Sequence, residues 1–109
     1  MDDGNSDFYC DFVLNDKIKV NIIKETDMVL AFFHTKPSWA FHVVIVPKTH
    51  ISNITELKDL AIIEEIFKIA QEIINNNNLK AINYRIITNG GGFQDSKHLH
   101  FHLVSGDKL

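Results

Sequence analysis

Three histidines alternate with hydrophobic residues near the end of the 109-residue chain, in the stretch HLHFHLV. His98, His100 and His102 are half of the six histidines in the sequence. Residues i, i+2 and i+4 of a β-strand share one face, so this spacing predicts three imidazoles in a row on one side of a strand. Such a row suits metal ligation, or phosphoryl transfer in which one neutral imidazole attacks phosphorus.

A glycine-rich segment precedes the histidines and favours the second chemistry. Asn89 is followed by three glycines, and the sequence FQDSK then leads to His98. Consecutive glycines let backbone N–H groups turn towards an anion and approach it closely. A metal site would need a carboxylate or thiolate within reach, and Asp95 is the only such residue nearby. We therefore interpret the segment as a phosphate cradle, with a metal site on the three histidines as the alternative.

The rest of the sequence predicts the elements that must position these residues. Stretches rich in β-branched and aromatic residues predict strands over residues 19–23, 28–33, 41–46, 84–88 and 98–104. Between Asp59 and Ile74 the apolar residues recur with helical spacing, and Thr55 is the expected N-cap. The Asn75–Asn78 run is typical of a helix end and loop. This order of elements predicts a single α+β domain over residues 1–109, with a mainly antiparallel sheet.

The predicted helix has more apolar surface than one sheet should need. One stripe is expected to meet the sheet, and a second is left over. Four exposed isoleucines would form a patch that soluble monomers avoid, and a second copy would bury it, so we expect a homodimer. The sheet-facing stripe is Leu60, Ile63, Phe67, Ala70 and Ile74, and the second is Ile62, Ile66, Ile69 and Ile73.

Composition excludes several classes of partner. The net charge is −3 and the pI is about 6.0, so the chain lacks the basic surface that binds nucleic-acid polymers. A single cysteine, Cys10, cannot form an internal disulfide and fits a reducing compartment. The acidic start and the absence of a long apolar run predict a cytoplasmic protein with no membrane contact.

Several segments together resemble the histidine triad (HIT) family, and within it the branch of histidine triad nucleotide-binding proteins. HLHFHLV matches the family's defining motif at all seven positions. Four segments, the last of which runs into this motif, resemble family segments in the same order: DFYCDFV, ETDMVLAFFHTKP, FHVVIVPKTHI and ITNGGGFQDSKHLHFH. The resemblance implies a five-stranded antiparallel sheet, one long helix and a short N-terminal helix. It also implies a homodimer paired helix to helix, with the two sheets joined into one.

The same resemblance implies roles for individual residues. His100 would be the nucleophile that forms a nucleotidyl-imidazole intermediate. His98 and His102 would bind the phosphate or fix the tautomer of the His100 ring. His42 would support these three. Contacts on the phosphate or leaving-group side are expected of Asn89, Gln94, Asp95 and Ser96. A base and ribose pocket is expected from Phe8, Tyr9, Phe12, Phe32, Phe33, His34 and Val44.

The chain departs from the family pattern at a few positions. His34 stands where the family has an Asp that holds the ribose hydroxyls, so ribose selectivity should be weaker. Asp95 and Ser96 replace the usual residues after the family's Gln. Some relatives hold zinc on a Cys-x-x-Cys pair and two histidines. Asp7 and Cys10 occupy the pair's positions here, so we expect no metal and no cofactor.

These features predict metal-independent hydrolysis of a nucleoside phosphoramidate or a related purine nucleotide conjugate. The small size of the chain favours this activity by family analogy. One alternative is a nucleotide-binding or scaffold protein that has lost catalysis. A dinucleoside polyphosphate hydrolase is another.

Overall fold

The computed structural model describes residues 19–109. It contains a five-stranded antiparallel sheet with the strand order β1-β2-β3-β5-β4 and one long helix, as the sequence predicts. The short N-terminal helix and the pocket candidates Phe8, Tyr9 and Phe12 lie outside the described residues. The strands are β1 (Ile22–Glu25), β2 (Val29–Phe33), β3 (Trp39–Pro47), β4 (Arg85–Ile87) and β5 (Phe101–Lys108), and the helix is α1 (Leu60–Asn76).

Side chains at both ends of α1 set its limits. The carboxylate of Asp59 accepts a hydrogen bond from the Ala61 N–H at 2.9 Å and caps the first turn. The expectation that Thr55 is the N-cap is wrong, because Thr55 lies in a separate 3₁₀ turn, Ile54–Glu56. At the other end Asn78 adopts the left-handed conformation with φ 55°, which asparagine tolerates better than most residues. The asparagine run therefore ends the helix, as predicted.

The two apolar stripes of α1 differ from expectation, because the isoleucine stripe faces the sheet and the other stripe contributes only in part, through Ala70 and Ile74. The isoleucine stripe, Ile62, Ile66, Ile69 and Ile73, is buried in the core between helix and sheet. In the other stripe Leu60 is 78% exposed and Phe67 is 43% exposed. The four large isoleucine side chains fill the space above the sheet together with the small Ala70. The stripe available to a partner is thus the one that contains Phe67.

Alternation along the strands gives the sheet two different faces. The face covered by α1 carries core residues such as Val43 and Leu103. The opposite face, which we call the histidine face, carries an apolar half and a row that contains two of the histidines. Its residues are Leu30 and Phe32 on β2, His42, Val44 and Val46 on β3, His102 and Val104 on β5, and Arg85 and Ile87 on β4.

The histidine motif is only partly a strand. β5 begins at Phe101, so His98 and His100 precede it. The segment before the strand is held by the Leu99 N–H, which donates to the Ile51 carbonyl at 2.6 Å. The expectation of three imidazoles along one strand face is therefore wrong for His98, because pairing with the segment before α1 replaces the sheet ladder there. None of the helices within residues 19–109 is long and apolar enough to cross a membrane.

Candidate active site

The backbone around His100 selects one tautomer of its imidazole. Nδ1 lies 2.9 Å from the carbonyl oxygen of His98. A carbonyl can only accept, so Nδ1 carries the proton and the lone pair of the neutral ring is on Nε2. The Thr88 hydroxyl donates to the His100 carbonyl at 2.9 Å and fixes the main chain at this point. His100 is therefore a buried imidazole whose Nε2 has the electronic character of a nucleophile.

A second set of hydrogen bonds determines the tautomers of His42 and His102. The Ser38 N–H donates to Nδ1 of His42 at 3.0 Å, so the proton of the neutral His42 ring is on Nε2. That nitrogen lies 2.8 Å from Nδ1 of His102 and donates to it. The proton of neutral His102 is consequently on its Nε2. We call this chain, from Ser38 through His42 to His102, the imidazole relay. The relay ends in the Nε2–H of His102, and the His102 ring lies beside that of His100, with ring centroids 4.9 Å apart.

The electrostatic environment keeps the relay neutral. Burial, followed by the nearby charge of His34, lowers the pKa of His42 to about 4. Burial is also the main cause for His102, and His100, His42 and His34 add to it, which lowers the pKa of His102 to about 3. Desolvation penalises the charged imidazolium, and each further imidazolium nearby would repel it. Near pH 7 both rings are therefore neutral, as the tautomers derived above require.

His34 joins this cluster, which the sequence did not predict. Its ring centroid lies 4.5 Å from that of His42 and 5.9 Å from that of His102, nearly parallel to the latter. The Lys36 N–H donates to Nδ1 of His34 at 2.9 Å, so its Nε2 carries the proton. Burial, and then the charge of His100, lower its pKa. The sequence could have predicted this neighbour. Phe33 pairs with Val43 in the antiparallel ladder, so the next residue, His34, lies beside His42.

The cluster of His34, His42 and His102 is close enough to suggest a metal site. One ring nitrogen of each lies within 4.8 Å of those of the others. Histidine ligands in metal sites bind through one nitrogen and donate a proton from the other to an oxygen. Here the Nδ1 atoms of His34 and His42 accept from backbone N–H groups, which leaves the second nitrogen of each ring protonated. Metal binding would break both hydrogen bonds, so this donor set fits a proton relay better than a metal ion.

His98 has a different place from the one expected. Its side chain is fully buried, and Nε2 donates to the Pro47 carbonyl at 2.7 Å. Its ring packs edge-to-face on His50, with centroids 5.4 Å apart. The contact of His98 with His100 is through the His98 backbone carbonyl, which orients the His100 ring. Within residues 19–109 the three histidines whose ring nitrogens come within 4.8 Å of one another are His34, His42 and His102, so the fold does not gather the three motif histidines as a metal-ligand set.

The glycine-rich loop is pinned to the segment before α1. The amide of Gln94 donates to the Ser52 carbonyl at 2.6 Å, so this buried side chain anchors the loop. Gly91 has φ 57°, a conformation that favours glycine, and a Cβ on it would meet nothing within 4 Å. Asn89 is half-buried and Asp95 is exposed. The hydroxyl of Ser96 is buried without a hydrogen-bond partner in the described part of the chain.

The predicted pocket aromatics separate between the two faces of the sheet. Phe32 and Val44 are cross-strand neighbours on the histidine face. Phe33 lies on the opposite face, where its ring packs against Phe41 with centroids 5.7 Å apart. Sequence reasoning missed Leu30 and Val46, which complete the apolar half of the histidine face. The period-two spacing from Phe32 and Val44 could have identified both.

An antiparallel α+β domain that carries clustered, hydrogen-bonded imidazoles at one end of its central strands defines the class of protein. The chain belongs to the HIT domain family, whose model matches residues 15–109. An uncharacterized HIT-like protein of Rickettsia prowazekii is 32% identical over 102 residues, which cover 89% of this chain and 85% of that one.

Solved structures agree with this assignment. A histidine triad protein from Clostridium difficile has a TM-score of 0.82 and 30% identity, over 94% of this chain and 92% of that one. A HIT family hydrolase from Clostridium thermocellum has a TM-score of 0.84 and 29% identity, over 96% of this chain and 94% of that one.

Proposed function

We propose that the protein hydrolyses nucleoside phosphoramidates, or related purine nucleotide conjugates, through a nucleotidyl-histidine intermediate on His100. The observation that carries this proposal is the pair of opposite tautomers. His100 has its lone pair on Nε2, whereas the neighbouring His102 has a proton on Nε2. A nucleophile beside a hydrogen-bond donor is what substitution at phosphorus needs, because the leaving group must gain a proton as the new bond forms.

The proposed reaction has two steps. In the first, Nε2 of His100 attacks the α-phosphorus, the P–N bond to the leaving amine breaks, and the amine nitrogen takes the proton from Nε2 of His102 while a proton from solvent replaces it. The phosphorylated His100 ring then carries a positive charge, and the relay stays neutral. In the second, water attacks phosphorus, the P–Nε2 bond breaks, and the water's proton goes to solvent. One water is consumed, and both histidines regain their starting state.

The apolar half of the histidine face supports the nucleotide part of the proposal. Leu30, Phe32, Val44 and Val46 form a buried apolar cluster beside the histidines. Phe32 is the cross-strand neighbour of Val44, and Val44 is that of His102, so this surface begins where the relay ends. A base held at the edge of this cluster, beside His102, would be bound by contact area without strong reading of its edges, which favours purines.

We also propose that the protein is a homodimer, with the exposed stripe of α1 at its centre. Phe67 is 43% exposed on the helix, and Ile86 is exposed on the uncovered part of the same sheet face at β4. Phe67 contacts Phe101, whose strand lies next to β4, so these side chains lie on one side of the molecule. An isologous contact between two such surfaces would remove them from water.

The test is turnover of adenosine 5′-phosphoramidate, with and without a chelator, by the wild type and by His100→Asn. We expect chelator-independent turnover by the wild type. We expect the variant to bind the nucleotide but to lose turnover, because no other group forms the covalent intermediate. Nucleotide binding by the wild type without turnover would favour the scaffold alternative and overturn the proposal. Turnover by His100→Asn near the wild-type rate would exclude His100 as the nucleophile.

A further inference from the structure

The two central strands of the sheet contain a β-bulge at the end where β3 begins. Trp39 pairs with Lys108 and Phe41 pairs with Ser105, so two steps along β3 are matched by three steps along β5. The extra residue therefore lies on β5, where the bulge begins at Gly106. Bulges are common beside active sites, where they redirect part of the backbone.

The residues of this bulge are suited to its geometry. Gly106 has φ 81°, in the left-handed region that favours glycine, as the first residue of a common type of bulge does. A Cβ at this position would lie 3.2 Å from the Cβ of Ala40, closer than an ordinary van der Waals contact. The Gly106 N–H donates to the side-chain oxygen of Asn83 at 2.8 Å, so it has a partner outside the ladder. A branched side chain at position 106 would therefore strain the bulge.

The bulge determines which residue of β5 reaches Ser38. The His42 carbonyl accepts from the His34 N–H at 2.9 Å, so it is turned towards β2 and away from β5. Along an antiparallel ladder, pairs whose backbone groups face each other alternate with pairs whose groups are turned away. Without the bulge Ser38, four residues before His42, would lie opposite Lys108 as a second pair turned away. With the bulge, the Leu109 N–H donates to the Ser38 carbonyl at 2.9 Å.

The bond from Leu109 holds the backbone group that orients the imidazole relay. Ser38 accepts from Leu109 with its carbonyl and donates to Nδ1 of His42 with its N–H. The position of Ser38 thus makes Nδ1 of His42 an acceptor. Through the bond between His42 and His102, it also determines which nitrogen of His102 carries the proton. The ring of the next residue, Trp39, packs edge-on against His42 with centroids 5.6 Å apart and restricts the same imidazole.

We propose that Gly106 is a positioning residue for the imidazole relay. Its bulge brings the Leu109 N–H to the Ser38 carbonyl, and the Ser38 N–H in turn fixes the tautomers of the relay. Gly106 acts through the backbone and takes no part in bond making. The tautomers themselves are independent of any substrate, whereas the expected effect on catalysis rests on the proposed function. That reaction needs the proton on Nε2 of His102, and a distorted bulge would divide it between the two ring nitrogens.

The test compares Gly106→Asn with Gly106→Val. Both side chains place the same Cβ beside Ala40, but asparagine tolerates a positive φ and valine does not. Proton–nitrogen correlation spectra of the imidazole rings should show the proton on Nε2 of His42 and His102 in the wild type and in Gly106→Asn. In Gly106→Val the His42 proton should be divided between Nδ1 and Nε2. For adenosine 5′-phosphoramidate, kcat should then fall about fivefold at unchanged KM, the size expected for one hydrogen bond.

Two variants at position 109 test the same bond without altering the bulge. Leu109→Pro removes the N–H that donates to Ser38 and should reproduce the spectra of Gly106→Val, whereas Leu109→Ala keeps the N–H and should match the wild type. Circular dichroism reports whether each variant is folded, and the pair at position 109 decides the result if Gly106→Val does not fold.

Wild-type tautomers in folded Leu109→Pro overturn the positioning role of Gly106, and so does a loss of activity in Gly106→Val that is confined to KM. Altered tautomers in Leu109→Pro and Gly106→Val support the role, even when the wild type turns over no phosphoramidate. That absence of turnover would overturn the proposed function alone.

Discussion

The backbone N–H of Ser38 donates to Nδ1 of His42, and this one bond determines the proton position on two imidazoles. Because His42 must then carry its proton on Nε2, His102 must accept it on Nδ1 and keep its own proton for the substrate side. The structure that achieves this is local, since Ser38 lies only four residues before His42 and immediately before β3. A main-chain donor cannot change its proton state, so the direction of the relay is built into the fold.

This relationship predicts the effect of removing His42. In His42→Gln the Nδ1 atom of His102 loses the ring that holds its tautomer, so fewer molecules present the Nε2 proton to the leaving group. We expect kcat to fall by roughly 10²-fold, within the range found for one acid–base group, with a smaller change in KM. Steady-state kinetics with adenosine 5′-phosphoramidate measures both. An unchanged kcat would show that the relay has no role in the reaction.

The lowered pKa values predict that acid destabilises the fold. His42 and His102 have folded pKa values of about 4 and 3, below the unfolded value near 6.5. As the pH falls below about 6.5, these two imidazoles bind protons in the unfolded chain but not in the folded chain, so the free energy of unfolding decreases. Between pH 7.5 and 5 we expect a loss on the order of 1–2 kcal/mol for each residue.

Urea unfolding of the wild type and of His42→Gln at the two pH values checks this expectation. The variant has one fewer imidazole with a lowered pKa, so its free energy of unfolding should depend less steeply on pH. Lys80→Gln serves as the control and should retain the wild-type dependence. Equal pH dependence in wild type and His42→Gln would mean that His42 titrates alike in the folded and unfolded states.

Most of the fold follows from the spacing of apolar residues, but the orientation of the helix does not. Period-two and helical patterns predicted all five strands and α1, because they report which side chains leave water. Both stripes of α1 are apolar, however, and hydrophobicity alone cannot say which one packs on the sheet. Only the shape of the sheet surface selects Ile66 over Phe67 for the core.

The candidate site shows a similar limit. The motif predicted that His100 and its neighbours act together, and the resemblance added His42. The tautomers depend on main-chain groups of Ser38 and His98, which have no side-chain signature in the sequence. His98 itself was misplaced because a strand pattern was extended beyond the point where pairing with another segment takes over.

The corrected orientation of α1 predicts different outcomes for adjacent residues. Phe67→Glu places a charge on the exposed stripe and should give a folded monomer from a dimeric wild type. Ile66 is 1% exposed, so Ile66→Glu should prevent folding by burying an unpaired charge. Light scattering at micromolar concentration measures the mass, and circular dichroism reports the fold. A monomeric wild type would refute the dimer, and a folded Ile66→Glu protein would refute the core assignment.

The tautomer of His34 predicts how the site treats the sugar. The relatives' carboxylate can accept hydrogen bonds from two ribose hydroxyls at once, whereas His34, with its proton on Nε2, offers one donor. The wild type should therefore discriminate weakly between ribose and 2′-deoxyribose conjugates. His34→Asp should raise the ratio of their kcat/KM values by about tenfold, because a hydrogen bond to a charged group contributes roughly 1.5–3 kcal/mol. His34→Asn serves as the control. If it leaves the ratio of the ribose and 2′-deoxyribose kcat/KM values at the wild-type level, the gain in His34→Asp comes from the carboxylate and not from removal of the ring. A strong preference for ribose in the wild type would mean that another residue holds the hydroxyls, and the role assigned to His34 would be wrong.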